Sequence, residues 1–330
     1  MAKNLKYIAL WLLVTLLASA CSKDGADTPS TPPTNTQDEI NIKAQVWQVM
    51  QGASAPRRAH TYDDGAALKT EAQFKCTAYQ ANSNPLVAYI PTTTVDWDSG
   101  DNRWEFNHGT DHYYWPASGN LDFFAYMPAT LPSYIAADPA LTYTAAHNVT
   151  FTCSGLPMTN AGQGSSLKEF MFGMALGQNG TDNASGVNLS FQHPFTRIKM
   201  ELSASQVDPI TIKSITFKSV KTGGTFTYNG STSTWDTSEG ASDNFVATLN
   251  QTVTITNAVQ TLGEPYLMIP QSWTGQIEVR IIWDDWGVQK EETLTASAPT
   301  TWKIGYSYTY SFTISKSALI VNVARFTEQW

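Results

Sequence analysis

Two histidines four residues apart, His108 and His112, are the first side chains in this sequence that could share a metal. On a helix that spacing turns both rings to one face and suits zinc. Gly109 between them and the aromatic run Tyr113-Tyr114-Trp115 beyond them predict a loop entering a strand, where the rings need not converge. Asp96, Asp98 and Asp101 resemble part of a calcium loop, but the glycine and late glutamate of an EF-hand are misplaced, and a hairpin turn accounts for all three. Asp284 and Asp285, set between Trp283 and Trp286, read as a turn rather than an acid pair. His193, with Phe191 and Phe195 on either side, reads as a packed strand histidine. Gln163-Gly164-Ser165-Ser166 lacks the lysine of a phosphate loop, and spacing alone proposes no Ser-His-Asp set. Neither a catalytic residue nor a metal or cofactor is expected. Cys76 and Cys153 lie in the alternating segments 74–78 and 150–153, each sharing a face with a phenylalanine. Two buried thiols and one disulfide, which an oxidising envelope permits, both fit this pattern.

The third cysteine carries a different chemistry. Lys3 and Lys6 are followed by an apolar run over residues 7–17 and by Ala18-Ser19-Ala20 in front of Cys21. A basic start, a short apolar core and small residues before the cut predict a secretory signal over residues 1–20. The run is too short for a permanent membrane-spanning helix. Cys21 directly after the small residues resembles the lipobox of bacterial lipoproteins, in which that thiol carries a diacylglyceryl group. The mature chain is therefore expected to begin at Cys21, outside the cytoplasm and tied to a membrane by lipid. Removal of the signal takes away two lysines and no acids, moving the net charge from −8 to −10. With no basic block in so acidic a chain, nucleic acid is excluded as a partner.

The elements that must position these residues are strands. Charged residues make up only 15% of the chain, while aromatic ones reach 12% and Thr, Ser, Asn and Gly are abundant, a mixture that favours strands and turns. Residues 21–37, with three prolines and almost no large apolar side chain, predict a flexible tether. Ile40, Ile42, Ala44 and Val46 then alternate with polar neighbours as a first strand. The same period of two recurs at Leu121, Phe123, Ala125 and Met127, and at Thr196, Ile198, Met200 and Leu202. It returns at Ile277, Val279, Ile281 and Trp283, and at Tyr306, Tyr308, Tyr310, Phe312 and Ile314. Turn residues at 98–102, 222–224, 229–231 and 284–287 separate such runs. No sustained helical stripe follows the signal; a single helical turn fits near residues 165–171. The Gly/Asn-rich stretch 177–186 is the best domain boundary, dividing the chain into 38–186 and 187–330. The whole reads as all-β, built of Greek-key sandwiches.

Several segments in order resemble the fimbrillin family of Bacteroidetes, the Mfa-like and FimA-like pilus proteins. They are Tyr113-Tyr114-Trp115-Pro116 with residues 121–128, and Leu189-Ser190-Phe191-Gln192-His193-Pro194-Phe195. Tyr266-Leu267-Met268-Ile269-Pro270-Gln271, Gly305-Tyr306-Ser307-Tyr308-Thr309-Tyr310 and the terminal Trp330 complete the set. The resemblance implies two transthyretin-like β-sandwiches and a structural role in type V fimbriae, in cell adhesion, without enzymatic activity. It also implies passage to the outer membrane as a lipoprotein and cleavage by a trypsin-like protease after an arginine that follows the first strand. Arg58-Ala59 stands in that place. Loss of the first strand would bare an apolar groove, to be filled by a strand from another fimbrial subunit. The donor in the family is C-terminal, and here Leu319, Val321 and Val323 alternate on one face. A surface lipoprotein that binds a glycan is the alternative, with Trp97, Trp104, Trp235 and Trp286 near turns where sugars could stack.

Overall fold

In a computed structural model of the chain, the structure describes residues 38–46, 65–71, 73–136, 142–164, 167–204, 209–253, 258–296, 300–314 and 319–329. The first part of the fold contains β1 (Ile42–Val46), α1 (Gly65–Glu71), β2 (Gln73–Gln80), β3 (Ala88–Asp98), β4 (Arg103–Phe106), β5 (Leu121–Met127), β6 (Thr142–Tyr143), β7 (Val149–Cys153), β8 (Met171–Gln178) and β9 (Val187–Gln192). The second contains β10 (Thr196–Ala204), β11 (Ile210–Lys221), β12 (Gly224–Tyr228), β13 (Ser233–Asp236), β14 (Ser242–Val253) and β15 (Gln260–Met268). It continues with β16 (Gln271–Ser272), β17 (Ile277–Asp285), β18 (Val288–Ala296), β19 (Thr301–Trp302), β20 (Tyr306–Ile314) and β21 (Leu319–Gln329). The protein is all-β apart from α1 and one short 3-10 turn among the described residues.

Seven strands in the order β1-β4-β3-β2-β5-β8-β9 form a closed barrel, sealed where β1 meets β9. Alternate residues of each strand point inward, and Ile42, Phe74, Val95, Trp104, Phe123, Leu189 and Phe191 fill the interior. A second sheet, β13-β12-β7-β6, contributes to a separate core with Phe124 and Phe172 from the barrel strands. This arrangement explains β5. The alternation over residues 121–127 predicts one buried face, yet Asp122 and Phe124 on the other face are buried too. Asp122 accepts from the Gly177 amide at 2.7 Å and pairs with His147 Nε2 at 3.1 Å, so its burial is compensated.

Two further four-stranded sheets, β15-β10-β20-β21 and β14-β11-β17-β18, enclose a third core. Ile198, Met200 and Leu202 of β10 and Ile277, Val279 and Ile281 of β17 all lie in it, as their period predicts. The turn at residues 284–287 is a two-residue hairpin. Trp286 and Gly287 have φ of 56° and 75°, and the Gly287 amide donates to Asp284 Oδ1 at 2.7 Å. Positive φ at both central residues matches the right-handed twist of the flanking strands.

Two differences from the sequence reading concern local structure. No helical turn covers 167–171: residues 167–170 are irregular and β8 begins at Met171. The described α-helix is instead α1, whose Leu68 is fully buried against the barrel core. At the junction, β9 pairs with β1 and β8 inside the first sheet.

Candidate functional site

The seam of the barrel is a short strand with apolar residues at every second position. Ile40, Ile42 and Val46 are buried, with Ala44 between them partly so. β1 runs parallel to β9 in unbroken register, from Ile42 opposite Val187 to Val46 opposite Phe191. On its other side it is antiparallel to β4, with Ile42 opposite Trp104. The amide of Val187 donates to the Asn41 carbonyl at 2.8 Å, and that of Ile40 to the Tyr113 carbonyl at 2.7 Å. Outward-facing side chains add bonds from Gln45 Nε2 to Ser190 Oγ at 2.9 Å and between Glu39 Oε1 and His112 Nδ1 at 2.6 Å. Beneath the seam, Phe74 touches Trp104 and Phe191, at centroid distances of 4.9 and 5.2 Å.

Gly186 lets this close approach occur. Its φ is +109°, and a Cβ there would stand 3.2 Å from the Asn41 carbonyl oxygen. The three buried aliphatic side chains of the segment contribute roughly 4–9 kcal/mol by burial alone. Without β1, the apolar faces of β4 and β9 and two rows of backbone groups would meet water. The seam is therefore a slot for an extended apolar segment, held by ladder bonds and by alternate side chains.

The C-terminal segment containing Leu319, Val321 and Val323 is itself a strand. It forms β21, the outer member of its sheet, antiparallel to β20, with Leu319 opposite Ile314 and Val321 opposite Phe312. Val323 falls in the irregular register between the Asn322 and Arg325 pairs. Cys21, Arg58 and Ala59 lie outside the described residues.

The remaining candidates do not converge on a chemical centre. Cys76 and Cys153 are free thiols in different cores, so the disulfide is not formed. Burial pushes each thiol up to about 12, which leaves both inert as nucleophiles. His108 and His112 turn to different acids, Asp96 and Glu39. Asp98 Oδ1 accepts from the Gly100 amide at 2.6 Å, as a turn residue does. Asp98, Asp101 and Glu105 come near one another, but Arg103 lies among them, 3.4 Å from Asp101 and 2.5 Å from Glu105. His193 is buried with its Nδ1 at 2.9 Å from Glu169 Oε1, a partner 24 residues earlier that no local pattern announces. Of the tryptophans near turns, Trp104 is buried, Trp97 and Trp235 are partly covered, and Trp286 is 76% exposed.

A family model described as fimbrillin-like matches residues 58–330. Among solved structures, a candidate cell adhesion protein from Bacteroides uniformis aligns with a TM-score of 0.53 at 15% identity, over 90% of this chain and 100% of its own. Another from Bacteroides ovatus aligns with a TM-score of 0.54 at 15% identity, over 89% and 98%. At these identities the likeness is one of fold. No curated protein matches the sequence.

Proposed function

The chain belongs to the fimbrillin-like family, and on that premise we propose that it is a stalk or accessory subunit of a type V fimbria, assembled by exchange of its first strand. Membership makes it a structural, fimbrial protein of the cell surface rather than an enzyme. The proposal adds a history to that role. Lipid on Cys21 holds the newly exported chain at the outer membrane. A trypsin-like protease cuts between Arg58 and Ala59, releasing tether and β1 together. A strand from another fimbrial subunit enters the vacated seam, and the segment with Leu319, Val321 and Val323 is the donor for the next. Cell adhesion is the proposed outcome of the fibre.

The observation that carries this reading is the position of β1. It is an integral, buried strand of the barrel, yet it is the first described strand of the chain and precedes Arg58. One chain break between residues 47 and 64 severs it from every other barrel strand. The barrel core is drawn from residues 40–191 and the core between the two later sheets from residues 198–314, while a further core takes residues from both halves. We assign the first two to the proposed domains 38–186 and 187–330, with β9 pairing back into the first sheet.

Limited trypsin treatment of the folded chain tests the exchange. Cleavage after Arg58 followed by a ladder of detergent-resistant multimers, each beginning at Ala59, is expected. Replacing Leu319, Val321 and Val323 together by Asp should abolish the ladder. A chain that is cut at Arg58, loses β1 and stays monomeric at high concentration overturns the exchange. Native fibres in which every copy keeps a lipidated Cys21 overturn the cleavage.

A further inference from the structure

Beside the seam lies an open cavity of about 340 Å³, walled by β1, α1 and the β3–β4 hairpin. Its lining includes Asn41, Lys43, Lys69, Trp97, Asn102 and Ser185. The chain as a whole carries a net charge of −8, so a cavity lined with three cations runs against the average. One of them, Arg103, is neutralised by Asp101 and Glu105. Among the described residues neither Lys43 nor Lys69 has a carboxylate within ion-pair distance. Lys43 donates to Ser185 Oγ at 3.1 Å. Lys69 holds its ammonium 4.0 Å from the centre of the Trp97 ring, and Trp97 is braced edge-on against Trp104 at 5.4 Å. A ring fixes an ammonium in place without cancelling its charge, so the charge stays available to an anion.

We propose that this cavity binds a short acidic saccharide, one carrying a carboxylate or a sulfate ester. The two ammonium groups would receive the anion, while the amides of Asn41 and Asn102 and the hydroxyl of Ser185 suit neighbouring sugar hydroxyls. By contrast, the hollow of about 410 Å³ between Gln73 and Leu167 has its lysine, Lys168, tied to Glu71. That hollow offers no free cation. The inference concerns the intact chain and does not depend on strand exchange.

Calorimetric titration of the full chain with four probes tests it: digalacturonate, sulfated galactobiose, neutral galactobiose and inorganic sulfate. At least one acidic disaccharide should bind about tenfold or more tighter than neutral galactobiose and than inorganic sulfate, and which of the two does so identifies the anion. Lys43→Gln and Lys69→Gln should each weaken that binding about 3- to 10-fold, and added salt should weaken it further. Lys303→Gln, which alters a lysine lying over another ring at 5.6 Å, should leave it unchanged. Equal binding of acidic and neutral sugars overturns the proposal, as does sulfate binding as tightly as the saccharide. So does unaltered binding by Lys43→Gln and Lys69→Gln proteins that retain the native circular-dichroism spectrum.

Discussion

Gln163 makes three hydrogen bonds from one buried side chain. Its amide nitrogen donates to the carbonyls of Pro157 and Leu267 at 2.9 and 2.8 Å, and its oxygen accepts from the Leu267 amide at 2.8 Å. A loop of the first half is thereby fastened to β15 of the second. Gln163→Leu would leave these backbone groups unpaired, and we expect a loss of about 2–4 kcal/mol in urea unfolding. Nothing in Gln163-Gly164-Ser165-Ser166 as a string reveals this, because both partners of the long-range bonds are backbone atoms 104 residues away. The thiols make a different demand. Cys76 and Cys153, with an ordinary value of 9.0, are raised by burial to about 12, and Tyr310 is also raised by burial. A group whose folded value lies above its unfolded one contributes its full stability below the unfolded value and loses it as pH rises. Melting temperature should therefore hold steady up to about pH 9 and fall progressively between pH 9 and 12. Melts that stay flat across that window would contradict the burial of these groups.

At the scale of elements, β1 is the piece whose packing matters most. Ile42 occupies the one position paired on both sides, with Val187 and with Trp104. Ile42→Ala should cost about 2–4 kcal/mol in the intact chain. Cleaved proteins prepared from the wild-type and the Ile42→Ala precursors should melt alike if a donor has replaced β1, and should still differ if the cut β1 remains in its place. The first strand was legible because its polar face meets water and its apolar face meets the core, so the period of two survives in Ile40, Ile42 and Val46. Leu121–Met127 was legible as a strand, but not as one buried on both faces, since Phe123 and Phe124 look alike until the second sheet is known to cover the latter. Helix α1 was not legible at all. Its seven residues are too few for a repeating stripe, and among its described side chains Leu68 is the one buried in the core. The seam was only half legible: alternation announces that β1 exists, while its parallel partner lies 145 residues away and leaves no local trace.

For the whole molecule, the hairpin β12–β13 is the feature that binds the halves together. It comes from the second half of the sequence, yet β12 pairs with β7 of the first, placing Phe226 opposite Phe151. Phe226 also lies 5.4 Å from Phe172 and shares its core with Phe195 and Leu267. The two halves should consequently melt together. Phe226→Ala should lower stability by about 3–5 kcal/mol while calorimetry still records one transition, and two separated transitions would show the halves to be independent. The seam has a last consequence, which belongs to mass action. While β1 is part of the chain, it competes for its slot at an effective concentration on the order of millimolar, set by its linker and by nothing outside the molecule. Once the linker is broken, β1 becomes an ordinary peptide that dilution can remove. In the proposed exchange its place would then go to whichever strand is most concentrated nearby, and a single peptide bond would set whether this molecule responds to its neighbours at all.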